Sequence, residues 1–221
     1  MSAGPGAIID AGPALTFLAR KDTTRILYAG LGGADLLAPE QVEHEVVRKS
    51  RQEKRRFGAA EVTWRTIVAA NRLTVLSDDE TAELTAAVQR LCLMPMSERM
   101  RQQKDLGELL VIAHAAVRAE AGEDIAVLIQ ERNGTAMAHN EARRIEKLGG
   151  IGRFRVWNTQ TILLRAVGST YLPDKATMKS VYESMLPLDA ALPAISETDL
   201  LTAAVWENNG RDSPSRMRPP D

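Results

Sequence analysis

The sequence predicts an α/β fold on a mostly parallel sheet, and three observations carry that expectation. Short apolar runs of strand length, such as Ala7-Ile8-Ile9 and Ile125-Ala126-Val127-Leu128-Ile129, alternate with amphipathic helical stretches. The apolar runs are bounded by polar residues and are too short for helices. At 221 residues the chain can bury a sizeable core in one large domain, or in one domain with an added tail.

Element by element, Ala7-Ile8-Ile9 reads as a buried strand ending at Asp10. Ala11-Gly12-Pro13 turns into a helix running through Ala19, with Pro13 in the first turn, where its missing amide is no loss. Arg25 to Tyr28 reads as a second short strand and Gly30 to Ala34 as a glycine-rich loop. A helix starts near Pro39, its apolar stripe supplied by Val42, Val46 and Val47. The chain turns basic from Arg48 to Phe57, and Glu61 to Asn71 forms another helix with Val62, Ile67 and Val68 inward. Leu73 to Leu76 is a strand. Ser77-Asp78-Asp79-Glu80 signals a helix that continues from Thr81 to Leu91.

Met94 to Lys104 is polar and reads as a loop, after which Asp105 opens a helix over Leu106 to Glu120. Ile125 to Ile129 is a buried strand, and Gly134 to Leu148 is a helix ended by Gly149-Gly150. Phe154 to Trp157 is a strand, Thr159 to Val167 and Asp174 to Leu186 are helices, and Asp199 to Trp206 is a short one. Asn208 to Asp221, rich in Gly, Pro, Ser and Arg, reads as a disordered tail.

Composition excludes several classes. Lys and Arg number 28 against 29 Asp and Glu, a net charge of −1, so any nucleic-acid contact must come from local clusters of base. The one cysteine, Cys92, excludes an internal disulfide framework and a cysteine-built zinc site. No apolar run approaches the roughly 20 residues of a membrane span, and Met1 to Gly6 lacks the features of a secretory signal. A cytoplasmic protein is the expectation.

Ligands of open parallel sheets sit beyond the carboxyl ends of the strands. Asp10 ends the first strand and Glu131 follows the Ile125 to Ile129 strand by two residues. Glu45 borders the Val42/Val46 stripe. Glu108 lies in the first turn of its helix, on a face with Val111, Ile112 and Ala115. Crowded carboxylates repel and raise one another's pKa, and Mg²⁺ or Mn²⁺, which prefer oxygen ligands, relieve the repulsion. Such a set points to metal-dependent phosphodiester chemistry. Each acid also has a structural explanation. Asp10 can bond turn amides, Asp105 and Glu108 have capping-box spacing, Glu45 can pair with Lys49, and Glu131 can stand on an exposed loop.

Taken together, these segments resemble the PIN-domain family, in particular VapC-like toxin ribonucleases. Ile8-Ile9-Asp10-Ala11-Gly12-Pro13-Ala14-Leu15 resembles the first strand with its leading metal-binding Asp, and Ala38 to Val46 the second motif, a Pro-started helix with an acid facing the site. Asp105-Leu106-Gly107-Glu108 resembles the Leu-Gly-Glu motif of one branch. Val127 to Glu131, with Ala136 and Ala138 beyond, is similar to the strand that usually ends in aspartates, and Val156 to Thr159 to a later strand and helix start. Gln130-Glu131 stands where the family has one or two aspartates, and Asn158 where glycine is usual.

The resemblance implies a three-layer sandwich over 7–170, followed here by a helical extension over 171–206 and the tail over 207–221. It implies an endoribonuclease acting on single-stranded RNA with Mg²⁺ or Mn²⁺, a toxin neutralised by a small antitoxin protein, and frequently a homodimer. Asp10 and Glu108 would be the principal metal ligands, Glu45 a ligand or water-positioning acid, Glu131 a fourth member and Asp105 an outer acid. The second reading is a PIN-derived module that binds RNA or protein without catalysis.

The run Arg48 to Arg56 holds six basic residues and one acid, so Arg51, Arg55 and Arg56 are the RNA-backbone candidates, with a solvated helix end as the alternative. Gly30-Leu31-Gly32-Gly33 lacks the third glycine of a dinucleotide fingerprint, which disfavours a nucleotide-binding oxidoreductase.

Overall fold

The computed structural model describes residues 5–149, 152–202, 204 and 206. The expected tail from Asn208 onward lies outside them, as does part of the Asp199 to Trp206 segment, whose described start is a 3₁₀ turn at Asp199–Leu201.

Five strands form one all-parallel sheet: β1 (Gly6–Ile9), β2 (Asp35–Pro39), β3 (Thr74–Leu76), β4 (Asp124–Leu128) and β5 (Arg153–Trp157), in the spatial order β3-β2-β1-β4-β5. The chain builds outward from β1 to β3, then crosses back to place β4 on the other flank of β1. The gap between the carboxyl ends of β1 and β4 is therefore the topological switch point, where such sheets bind ligands.

The helices are α1 (Ala11–Leu18), α2 (Lys21–Leu31), α3 (Glu40–Gln52), α4 (Lys54–Ala69), α5 (Ala82–Cys92), α6 (Met96–Arg99), α7 (Leu106–Glu120), α8 (Arg132–Lys147), α9 (Thr159–Ala166) and α10 (Lys175–Met185). Parallel strands need right-handed crossovers, so the helices divide between the two faces and give an α/β three-layer sandwich. On one face α1 packs on α2 and α4, and α2 on α9. On the other α7 lies across the sheet with α5 and α8 against it. Ile8, Ile9, Phe17, Ile26, Val127 and Trp64 are fully buried in the main core, and Met178, Tyr182 and Met185 of α10 join it. A second cluster, Leu84, Val88, Met96, Leu106, Leu109 and Leu110, ties α5 and α6 to α7. No helix among the described residues is long and apolar enough to cross a membrane.

Four local expectations are corrected. The first is Val62, which was expected to face inward and is 67% exposed on α4. Arg25 to Tyr28 is the middle of α2, because Thr23, Ile26, Leu27, Gly30 and Leu31 recur at helical spacing and are buried together. The residues read as the end of a glycine-rich loop run straight into β2, which the sequence reading missed. Met94 to Lys104 contains the short α6, anchored by buried Met96.

Candidate functional site

Four segments deliver acids to the carboxyl edge of the sheet. Asp10 directly follows β1, its amide donating to Leu128 O of β4 at 3.0 Å, which places it at the switch point. It is 5% exposed and also starts α1, its Oδ2 accepting from Gly12 N at 3.4 Å. Glu45 lies in the second turn of α3. Asp105 and Glu108 flank the first turn of α7, and Glu131 precedes α8 after β4. Asp10, Glu45, Asp105, Glu108 and Glu131 line one cavity of about 240 Å³, with Arg48, Lys49, Gln103 and Lys104 on its wall.

Two of these carboxyls, Glu108 and Asp10, are held above the ordinary carboxylate range. Burial first, and then the charges of Asp10, Glu131, Asp105 and Glu45, push the Glu108 carboxyl up to about 8. Burial also raises Asp10, to about 6. The amides of Ala11 and Gly12 and the Lys49 ammonium oppose the rise, and Glu45 adds to it. Glu108 Oε1 is buried without a hydrogen-bond partner.

Two glycines make room for these side chains. A β-carbon on Gly107 would stand 2.8 Å from Glu45 Oε1, and one on Gly134 would stand 2.7 Å from Glu108 Oε2. The carboxylates therefore lie against bare backbone of α7 and α8, a close approach that only glycine permits.

The structural explanations hold unevenly. Asp10 does bond a turn amide. Asp105 makes no capping bond and has a left-handed backbone with φ 54°. No ion pair among the described residues joins Glu45 to Lys49; Glu45 Oε1 instead accepts from Gln41 Nε2 at 3.3 Å. Glu131 is exposed at the cavity rim and does not cap α8. Gln130 turns away, its Oε1 accepting from Thr159 N at 3.1 Å at the start of α9.

The basic run divides in two. Arg51 pairs with Glu61 at 2.7 Å, and Arg56 pairs with Glu53 at 2.6 Å while donating to Leu188 O at 3.0 Å. Arg55 is exposed. The cations beside the acids are Arg48 and Lys49, one turn beyond Glu45 on α3, and Lys104. Lys49 was read from the sequence only as a pairing partner for Glu45, and Lys104 was not singled out.

Two supporting residues were also missed. Asp78, beyond β3, accepts from Gln41 N at 2.8 Å and pairs with His114 Nε2 at 2.8 Å, fixing the start of α3 against α7. The buried Arg99 guanidinium donates to Gln102 O, and to Lys104 O at 2.6 Å, shaping the loop that presents Asp105.

The donor set suits a hard divalent cation: it is all carboxylate oxygen, and one buried oxygen has no partner. As the side chains stand, no three His, Cys, Asp or Glu among the described residues are grouped to hold a metal ion. The acids line the cavity without closing on one point. Comparison with protein-family models, curated proteins and solved structures gave no match.

Proposed function

We propose that this protein is a metal-dependent endoribonuclease that hydrolyses phosphodiester bonds of single-stranded RNA. The observation that carries the reading is the meeting of five acids from four segments at the switch point, two of them raised to about 6 and about 8 by burial and mutual repulsion. Perturbed carboxylates crowded in a cleft are a mark of chemistry more than of stability. Asp10 and Glu108 are the residues to hold Mg²⁺ or Mn²⁺, with Glu45 and Glu131 completing the set. When bound, such an ion offsets charge on a phosphoryl oxygen and lowers the pKa of water. In this reading Glu45, half-buried at the wall, serves as a ligand or positions the attacking water, and Lys49 and Lys104 hold the flanking phosphates. Membership of a toxin–antitoxin pair, with a small protein antitoxin and a homodimeric toxin, is what the family resemblance adds.

Calorimetric titration with Mn²⁺ and cleavage of a labelled single-stranded RNA test the reading together. Wild-type protein binds metal and cleaves, while Asp10→Asn and Glu108→Gln lose both. Cleavage at wild-type rate by both variants refutes it. The open geometry of the acids supports one alternative, a module that binds RNA or protein without catalysis; absence of Mn²⁺ binding and of cleavage in a folded protein would select that.

A further inference from the structure

The sheet ends on β5, and among the described residues no strand lies on its outer side. On its inner side Arg153 N donates to Glu123 O at 3.2 Å, and Trp157 O accepts from Ile129 N at 3.0 Å. Backbone groups alternate along a parallel strand. Arg153, Arg155 and Trp157 therefore turn theirs toward β4, and Phe154 and Val156 turn theirs outward. Among the described residues no backbone bond beyond the sheet takes up the N–H or C=O of Phe154 or Val156. The start of the strand is held in place at Gly152, where a β-carbon would stand 2.3 Å from Glu123 O and 2.6 Å from Ala119 O.

Along this strand, between β5 and α8, runs a cleft of about 950 Å³. It shares no residue with the acid cavity and lies by the amino-terminal half of β5, at the other end of the sheet from the acids. Phe154 and Ile145, both buried, give it an apolar lining. Arg143, Arg153 and Arg155, all exposed, line it against one acid, Glu146. Arg143 donates to Asn140 Oδ1 at 2.6 Å, and none of the three arginines forms an ion pair among the described residues.

Open donors and acceptors on an edge strand are a template for another extended chain, and charge decides which chain can use it. A second copy of this protein would set its own Arg153 and Arg155 against these, and like charges facing each other across strands repel. A chain of opposite charge meets no such barrier. Single-stranded RNA fits less well, because bases stack on exposed aromatic rings and the aromatic residue lining the cleft, Phe154, is 9% exposed.

We infer that β5 accepts an acidic, extended segment of a partner protein as a sixth strand, bonded to the outward backbone groups of Phe154 and Val156. Trp157 lies beneath the Arg165 guanidinium of α9, so Arg153 and Arg155 stand on the α9 face of β5 and Phe154 on the α8 face. The segment that fits alternates acidic residues, which meet Arg153 and Arg155, with apolar ones, which enter the cleft beside Phe154. The inference is independent of the endonuclease reading.

The test uses full-length protein and a labelled short peptide alternating valine and glutamate, with binding read by fluorescence anisotropy. The counterpart alternating valine and lysine binds about tenfold more weakly or worse, and the Arg153→Glu/Arg155→Glu variant reverses that order. Both positions are exposed, and an unchanged circular dichroism spectrum and Tm report the fold of the variant. N-methylation of the acidic peptide's backbone amides keeps its charge, removes its donors and weakens binding about tenfold. Failure of the acidic peptide to bind wild-type protein overturns the inference. So does equal binding of the two charge types, or undiminished binding of the N-methylated peptide, which would mean that the strand edge is not used. Oligouridine that binds wild-type protein, is lost in the arginine variant and displaces the acidic peptide would make the cleft an RNA contact and overturn it too. Loss of the endonuclease reading, seen as no cleavage by wild-type protein, leaves peptide binding in place.

Discussion

The carboxylate of Glu108 on α7 lies against the backbone of Gly134 on α8, so that a β-carbon there would be 2.7 Å from Glu108 Oε2 and 2.6 Å from Ile129 Cδ1. Two helices that never share a hydrogen-bond ladder are thus coupled through one acid. Alanine at 134 suits the helix better than glycine, so the cost of Gly134→Ala falls on its neighbours: the buried Ile129 must shift its Cδ1, and Glu108 must rotate out of its position. The expected outcome is a folded protein whose Mn²⁺ affinity, read by calorimetry, drops about tenfold or more. Unchanged affinity would mean that Glu108 does not need this position to serve as a ligand.

The raised carboxyls make stability fall as pH rises. Asp10 and Glu108 titrate at about 6 and about 8 when folded, against ordinary values of 3.8 and 4.5. The folded protein therefore holds more protons than the unfolded chain between those limits. This stabilising contribution is fully present below the ordinary values and is lost as pH climbs through about 6 and then about 8. Thermal unfolding in EDTA should show a lower Tm at pH 9 than at pH 5. Glu108→Gln should flatten the slope, and Mn²⁺ should restore Tm most at the alkaline end. A pH-independent Tm in EDTA would contradict the electrostatics of the cavity.

The sequence exposed the acids better than their setting. Asp10 was legible because an acid after a buried apolar run falls at a strand's carboxyl end, and Glu108 because it lies in the first turn of a long helix whose apolar residues it borders. The strand β2 was not, since Asp35-Leu36-Leu37-Ala38-Pro39 carries no period and becomes a strand only between β1 and β3. Arg25 to Tyr28 misled for the opposite reason: an apolar pair within four residues fits either period until the buried stripe beyond it is known. The contacts of Gly107 with Glu45, Gly134 with Glu108 and Arg56 with Leu188 O join residues distant in sequence, and no local pattern announces them.

Asp78 holds the start of α3, and with it Glu45. One carboxylate oxygen takes the Gln41 amide and the other the His114 ring, both at 2.8 Å, and the residue is 8% exposed. Asp78→Ala strips a helix start of its acceptor and leaves His114 without its partner. The expected loss is about 2 kcal/mol in urea unfolding. Asp78→Asn keeps an acceptor for Gln41 N and should lose less. An Asp78→Ala variant as stable as wild type would show that water replaces both bonds at no cost.

Asp105 separates a functional acid from a helix cap. A capping aspartate contributes about 1 kcal/mol, so its replacement destabilises. Asp105 makes no such bond, holds φ at 54°, and adds its charge to the repulsion on Glu108. A left-handed backbone costs a residue with a β-carbon about 1 kcal/mol that glycine avoids. Asp105→Gly should therefore leave stability in urea unchanged or raised by up to about 1 kcal/mol, because strain and repulsion are both relieved. The same variant should bind Mn²⁺ more weakly, since one negative charge has left the cavity. A stability loss near 1 kcal/mol with unaltered metal affinity would restore the capping explanation. The predicted pattern, more stable and less able to bind, is the trade expected where backbone strain is kept for the sake of a site.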